Sequence, residues 1–178
     1  MDGATGYPCN MRAALLACVS FLPASGFCQE QDLLRFVDPM IGTQRMGHVY
    51  PGATAPFGMV QLSPDTDTLP YAVAGKYNPE VYRTCSGYQY DDSTIVGFSH
   101  THFSGTGHSD LGDILLMPTS GTLQLSPGTA ADPRSGFRSV FHHTNEKAVP
   151  GKYEVLLEDH DIKAELTATT RVGMHRYE

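Results

Sequence analysis

The chain has 178 residues, of which 40% are hydrophobic and 17% charged, so its composition is that of a globular protein long enough for one substantial core. Its formal net charge of −7 argues against nucleic-acid binding, which depends on a basic face. No apolar run reaches the roughly 20 residues that a membrane-spanning helix needs, so we predict no membrane span.

The first predicted element is a leader. An apolar run over 13–22 follows Arg12 and gives way to small residues before Cys28. A basic residue, a short apolar run and a small-residue exit are typical of a secretory signal peptide. We therefore predict an upstream segment and signal over residues 1–28, with the signal itself at Met11–Cys28, and a secreted or periplasmic protein. A lipoprotein is the alternative that the pattern favours less, because the residue before Cys28 is not a small one.

From residue 29 onward, short β-prone runs alternate with turns rich in glycine and proline, which number 18 and 12 in the whole chain. The predicted strands cover residues 58–63, 93–98, 113–117, 121–125, 137–142, 151–157, 162–168 and 172–177. The runs over 151–157 and 162–168 alternate apolar and polar residues, and the turn at 158–161 between them predicts a hairpin. No long segment shows a convincing helical period.

This pattern predicts an all-β fold, an antiparallel β-sandwich over residues 29–178, with a small barrel as the alternative left open. The chain ends inside the last predicted strand, which would leave one edge of the sandwich unpaired. We therefore expect an incomplete domain that belongs to a longer protein.

The segment 97–110 holds three histidines, three serines, two threonines and one aspartate. Polar side chains at this density between two strands are typical of a site for a polar ligand or a metal. His100 and His102 would share one face of a strand, and His108 with Asp110 would extend them to a conceivable zinc or copper set. A network of hydrogen bonds to neighbouring hydroxyl groups, or to a polar ligand, is the alternative.

Three further patterns are less specific. Ser99 lies in a near match to the nucleophile elbow of serine hydrolases, but the residues after it do not favour the helix that the elbow requires. Gly105 and Gly107 resemble a phosphate loop that lacks its Lys-Ser/Thr ending, so they indicate a tight turn. The aromatic loop over 50–59 and five tyrosines between 71 and 90 suit a carbohydrate, or else are ordinary core and surface tyrosines.

Several of these segments, taken in order, resemble the N-terminal domain of the family-92 glycoside hydrolases, which are calcium-dependent, inverting exo-α-mannosidases. The resembling segments are 37–43, 50–66, 85–90, 97–107, 113–118 and 163–168. The resemblance implies a galactose-mutarotase-like β-sandwich that packs on a C-terminal (α/α)6 barrel, a domain that this chain lacks. It also implies that the catalytic carboxyl groups and the Ca2+ ligands belong to that barrel. The implied partners are a mannose-containing N-glycan and the C-terminal domain of the same protein.

The same resemblance assigns roles to a few residues here. Phe57 and Gly58 are expected to contact the sugar at the cleaved end. Tyr82 stands nearest to the place of a family tryptophan that faces the leaving sugar, and this chain has no tryptophan. His100, His102 and Ser104 are expected to form a loop scaffold behind the mannose pocket. The chain alone would then be inactive; a stand-alone carbohydrate-binding module and a histidine-based metalloenzyme are the alternatives.

Overall fold

The computed structural model describes residues 32–66, 69–105 and 112–178. Within them the protein is built from eleven strands and four 3-10 helices. The strands are β1 Ala53–Thr54, β2 Gln61–Asp65, β3 Ala72–Val73, β4 Lys76–Tyr77, β5 Thr94–Ile95, β6 Gly97–Ser99, β7 Ser139–Val140, β8 Glu146–Val149, β9 Lys152–Leu157, β10 Ile162–Ala168 and β11 Gly173–Tyr177. The 3-10 helices are Leu33–Phe36, Pro79–Thr84, Pro133–Ser135 and His143–Asn145. The predicted signal, Met11–Cys28, lies outside the described residues.

The larger sheet has four antiparallel strands in the order β11-β10-β9-β8. Its register places Leu166 of β10 opposite Tyr153 of β9, and Ala164 opposite Val155. These four side chains are between 0% and 1% exposed, so they form the inner face of the sheet. Since side chains alternate along a strand, the residues between them point to the outer face.

A row of charges crosses the outer face of this sheet. Lys147 lies opposite Glu154, Glu154 opposite Glu165, and Glu165 opposite Arg176. Two carboxylates in a direct cross-strand pair repel each other. The Nζ of Lys152 lies 2.9 Å from Glu154 Oε2 and 3.0 Å from Glu165 Oε1, so one ammonium group offsets that repulsion.

The second sheet has three strands in the order β1-β2-β6, and β2 pairs antiparallel with β6. It faces the larger sheet through Leu62 and Phe98, which are fully buried in one cluster with Val155 and Leu166. Burial of each large apolar side chain of this kind stabilises a fold by about 1.5–3 kcal/mol. Two antiparallel sheets packed around a common core form a β-sandwich, as predicted. Two short pairs, β3-β4 and β5-β7, complete the strands of the described residues.

A buried carboxylate lies beside this core. The side chain of Glu146, at the start of β8, is 2% exposed. The Tyr88 hydroxyl donates to Glu146 Oε1 over 2.9 Å, and the Tyr153 hydroxyl donates to the same oxygen over 2.6 Å. His143 Nδ1 lies 2.6 Å from Glu146 Oε2. Burial and then the charge of Glu146 raise the pKa of both tyrosines, so both hydroxyls remain protonated donors.

The observed strands agree with the predicted ones where the two paired strands are neighbours in the sequence. The predicted strand over 162–168 is β10, and the predicted hairpin turn lies between β9 and β10. The predicted strand over 93–98 is divided, because β5 pairs with β7 whereas β6 pairs with β2. The segment 113–117 contributes one isolated bridge, from Leu116 to Phe98, in place of a strand.

The strand predicted over 121–125 is wrong, and β8 was not predicted. Leu123 and Leu125 are 71% and 86% exposed, and no neighbouring strand among the described residues pairs with their segment. An alternating pattern forms a strand only where another backbone supplies its hydrogen bonds. β8 has that partner in β9, although its Glu-Lys-Ala-Val sequence is a weak strand signal.

Candidate functional site

Phe57 lies in a tight turn between β1 and β2, where the Gly58 N–H donates to the Ala55 carbonyl over 2.9 Å. Its φ is +57° and its side chain is fully exposed, at 106%. The left-handed region costs an ordinary L-residue about 1–2 kcal/mol, so the surrounding structure imposes this conformation. The Met59 N–H donates to the Thr170 carbonyl over 2.7 Å and fixes the turn to the loop after β10. An exposed aromatic ring on a strained, anchored turn suggests a ligand contact.

Gly58 allows this turn to lie close to the neighbouring backbone. A Cβ at position 58 would come within 2.9 Å of the Ala55 carbonyl oxygen and 3.4 Å of Thr170 Cα. Any side chain there would displace the turn that presents Phe57. The structure thus places Phe57 and Gly58 at one surface, and their contact with a sugar stays a prediction.

A groove of about 390 Å³ begins at Pro56, the residue before Phe57. That volume lies in the range of about 300–1,000 Å³ that is usual for small-ligand sites. Tyr50, Thr54 and Ser104 are among the residues that line it. Burial, partly offset by a hydrogen bond with Thr54, raises the pKa of Tyr50, so its hydroxyl remains a protonated donor. The groove therefore combines an aromatic ring with three hydroxyl groups.

Tyr82 lies on the 3-10 helix Pro79–Thr84, which the Asn78 side chain caps by accepting the Glu80 N–H over 3.2 Å. Its side chain is 42% exposed, which is enough to offer one part of the ring to a ligand. The other part packs against His48, whose ring lies edge-to-face with the Tyr82 ring at a centroid distance of 4.7 Å. Tyr82 therefore exposes one part of its ring to solvent, while the buried His48 ring packs against the other part.

His102 is buried behind the groove, where its ring packs on Tyr50 at a centroid distance of 5.2 Å. Its Nδ1 donates to the Gln61 carbonyl over 2.9 Å, and its Nε2 lies 3.1 Å from Asp65 Oδ1. Burial lowers the pKa of His102, but the charge of Asp65 and the hydrogen bonds to Asp65 and Gln61 more than compensate and raise it. With both ring nitrogens facing acceptors, the geometry favours the imidazolium form.

Ser99 does not form a hydrolytic triad with His102 and Asp65, although the three side chains meet. The Ser99 hydroxyl and the Asp65 carboxylate both approach Nε2, at 3.2 Å and 3.1 Å. A catalytic histidine instead takes the serine proton on one ring nitrogen while the aspartate orients the other. Ser99 is also 0% exposed, so a substrate carbonyl could not reach it. This buried cluster fits the hydrogen-bond network that was the alternative from the sequence.

His100 and His102 are not paired as the metal hypothesis requires. β6 ends at Ser99, so both histidines lie beyond the strand that was expected to align them. His100 Nδ1 donates to the Ile114 carbonyl over 2.9 Å, and His100 Nε2 lies 3.1 Å from His175 Nε2 on β11. His108 and Asp110 lie outside the described residues. Within residues 32–66, 69–105 and 112–178 no group of three or more His, Cys, Asp or Glu side chains could hold a metal ion.

Ser104 is exposed at the groove, and the Gly105 N–H after it donates to the His48 carbonyl over 2.7 Å. Of the three predicted scaffold residues, Ser104 thus lines the groove, His102 lies behind it, and His100 bonds toward β11. The sequence interpretation missed His48 and did not single out Tyr50. Tyr50 lies in the aromatic loop that suggested a carbohydrate, whereas nothing in the local pattern marks His48.

Comparisons with known proteins agree on one relationship. The profile of the glycosyl hydrolase family 92 N-terminal domain matches residues 36–178. An uncharacterized secreted glycosidase of Arthroderma benhamiae is 31% identical over 157 residues, which are 84% of this chain and 18% of that protein.

Solved structures give the same result. A family GH92 α-mannosidase of Bacteroides thetaiotaomicron, solved alone and with mannoimidazole, is 46% identical with a TM-score of 0.73 over 81% of this chain. A family GH92 inverting mannosidase of the same organism is 26% identical with a TM-score of 0.57 over 82% of this chain. The chain spans 18% of the length of each of these relatives.

Proposed function

The chain belongs to glycosyl hydrolase family 92, whose N-terminal domain it carries, and on that premise we propose that it forms one wall of the mannose pocket of a secreted α-mannosidase. The substrate is a mannose-containing glycan of the N-glycan type, and the terminal mannosidic bond is hydrolysed with inversion. Two observations support this proposal: similar solved structures are α-mannosidases, and one of them is an inverting mannosidase.

The exposed ring of Phe57 is the observation that carries the proposal. A phenylalanine that is fully exposed gains nothing from burial in this domain, and its φ of +57° adds a cost. The exposure of the ring and the strained backbone are both explained if a sugar ring or the neighbouring domain covers the Phe57 side chain in the working enzyme. The adjoining groove, with Tyr50, Thr54 and Ser104, offers hydroxyl groups that can bond a sugar.

The chemistry of bond cleavage is proposed to lie outside this chain. An inverting glycosidase needs two carboxyl groups about 6.5–9.5 Å apart, so that a water molecule fits between one of them and the sugar. We place both groups in a C-terminal (α/α)6 domain, and the Ca2+ as well. Calcium takes six to eight oxygen ligands, and the described residues offer no cluster of three or more candidate metal-binding side chains. On this ground the Ca2+ is proposed to lie outside the described residues, and this domain by itself is proposed to be inactive.

Secretion or export to the periplasm is proposed from the leader at Met11–Cys28. A relative that is described as a secreted glycosidase supports this location. The described residues include no helix with the length and apolar character that a membrane span requires.

The proposal is tested in the enzyme that carries this domain together with its proposed C-terminal domain. Phe57→Ala is expected to lower kcat/KM for a mannose disaccharide by about 10–100-fold, since each factor of ten corresponds to roughly 1.4 kcal/mol of transition-state binding. Leu125→Ala is the matched control, because Leu125 is an apolar residue that is 86% exposed and lies between β6 and β7, away from the turn that carries Phe57 in the sequence. It is expected to change kcat/KM less than about twofold.

Each possible result tests a different part of the proposal. Absence of mannoside hydrolysis by the unsubstituted enzyme would overturn the activity. Equal rates for Phe57→Ala and Leu125→Ala would overturn the assignment of the pocket wall. Mannose binding by residues 29–178 alone, measured by calorimetry and lost in Phe57→Ala, would favour the carbohydrate-binding module.

A further inference from the structure

His48 is a buried residue that the candidate site does not yet explain. It is 6% exposed, and its Nε2 has no hydrogen-bond partner among the described residues. Its φ is +51°, a region that side chains other than Asn, Asp and His rarely adopt. Burying an unpaired polar nitrogen and holding a strained backbone both oppose folding. Such outliers gather at functional sites, so the contacts of His48 indicate what it does.

The contacts of His48 join two parts of the candidate site. Its ring meets the ring of Tyr82 with a centroid distance of 4.7 Å and an interplanar angle of 88°. Edge-to-face is an arrangement that aromatic rings prefer. Its carbonyl accepts the Gly105 N–H over 2.7 Å, next to Ser104 at the groove.

A separate set of hydrogen bonds, made by Gln89, holds the backbones on either side of the contact between His48 and Tyr82. Gln89 is 0% exposed, and its amide donates to the Arg45 carbonyl over 3.1 Å and to the Arg83 carbonyl. The Arg83 guanidinium donates back to Gln89 Oε1 over 3.3 Å. Gln89 thus fixes the segment that carries His48 relative to the helix that carries Tyr82. None of these bonds reaches the Tyr82 ring, whereas the His48 ring packs directly against it.

We propose that His48 is a positioning residue, which sets the plane of the Tyr82 ring for a sugar on the leaving side of the scissile bond. Through its carbonyl, which accepts the Gly105 N–H, His48 also holds the segment after β6 beside the groove. The inference rests on the proposed function, together with the contact of Tyr82 with the leaving sugar that the family resemblance implies. His48 itself touches no substrate; it acts through the ring that it supports.

A fluorescence experiment tests the positioning directly. The 178-residue chain has no tryptophan, so Tyr82→Trp gives it a single reporter at this position. In that background His48→Asn keeps the left-handed backbone, which asparagine tolerates, and removes the ring. We expect the emission of the reporter to shift to longer wavelength and its anisotropy to fall. His160→Asn, which removes a ring bonded to the Phe137 carbonyl at 3.0 Å, is expected to change neither.

Circular dichroism establishes that each variant is folded. Unchanged emission and anisotropy in folded His48→Asn would overturn the proposal. If His48→Asn does not fold, His48→Phe is measured in its place, because it keeps a ring against position 82. That variant is expected to retain the parent anisotropy, and a folded His48→Phe with mobile reporter would equally contradict the role of the ring contact.

A kinetic experiment in the enzyme that carries this domain tests the consequence for the substrate. His48→Asn is expected to raise KM for a mannose disaccharide about tenfold, and KM for mannosyl fluoride, which has no leaving sugar, less than about twofold. Equal changes for both substrates would indicate a general structural defect and overturn the proposal. If the unsubstituted enzyme hydrolyses neither substrate, the proposed function fails, while the fluorescence result still decides the positioning role of His48.

Discussion

Replacement of Glu146 tests whether the buried carboxylate holds this domain together. The side chain is 2% exposed and accepts hydrogen bonds from two tyrosines that are both 0% exposed. Glu146→Ala would leave the Tyr88 and Tyr153 hydroxyls buried without their acceptor, and would also release His143. We therefore expect a large loss of stability with little change in strand content.

The magnitude follows from the number of donors left unpaired. A buried polar group without its partner costs about 1–3 kcal/mol, and bonds to a charged acceptor lie toward the upper part of that range. Two hydroxyls then give a loss of about 3–5 kcal/mol for Glu146→Ala, which is a large fraction of the total stability of a typical domain. Tyr153→Phe removes one donor and leaves the carboxylate with its other partners, so it is expected to cost about 1–2 kcal/mol.

The assay is urea unfolding followed by circular dichroism, with the free energy of unfolding taken from the midpoint and slope. Glu158→Gln is the control, because the Glu158 side chain is 31% exposed and its carboxylate lies 3.5 Å from His142 Nε2; a change within about 0.5 kcal/mol is expected there. A loss below about 1 kcal/mol for Glu146→Ala would refute the reasoning. So would a loss for Tyr153→Phe as large as that for Glu146→Ala.

Three further outcomes are expected. Because Asp65 and its hydrogen bond raise the pKa of His102 despite burial, the stability from this pair is fully present below the ordinary histidine value of about 6.5 and is lost as the pH rises through the raised value. Melting temperatures measured from pH 5 to 9 should therefore fall with pH in the native sequence and fall less in Asp65→Asn. Gly52→Ala should lower stability by more than about 3 kcal/mol in urea unfolding, because its Cβ would lie 2.2 Å from the facing Leu62 carbonyl oxygen; a smaller loss would mean that the strands can separate there. Hydrogen bonds from two lysines lower the pKa of Glu165 to about 2, so an NMR titration should find its carboxyl still ionised at pH 3, and a midpoint near 4 would contradict the charge row.

The parts of the fold that depend on neighbours along the chain could be predicted from the sequence. β9, the turn after it and β10 form one hairpin, so alternation in two adjacent runs was enough to place all three. The division of residues 93–98 between two sheets could not be read in the same way. The division depends on two pairings, one with β7, which comes later in the chain, and one with β2, which comes earlier. No local sequence pattern records either pairing.

The candidate site shows the same limit. Phe57 and Gly58 were named because their segment resembles a family, and Tyr82 because it stands nearest to the place of a family tryptophan. The family membership is confirmed by the matching profile. The contact between His48 and Tyr82 is made by the fold, across residues that share no sequence pattern. His100 was expected to face His102, but its partner is His175 of β11, because β6 ends before either loop histidine.

The backbone at Phe57 has a consequence for any attempt to engineer this protein. At a φ of +57° glycine is the residue that the chain tolerates best, and Phe57→Gly would relieve about 1–2 kcal/mol of strain. A laboratory selection for heat resistance alone would therefore tend to accept glycine at this position and lose the exposed ring. If Phe57 has the proposed role in the pocket wall, stability and recognition make opposite demands on this one residue, so a selection for thermostability should be coupled to a screen for the proposed activity.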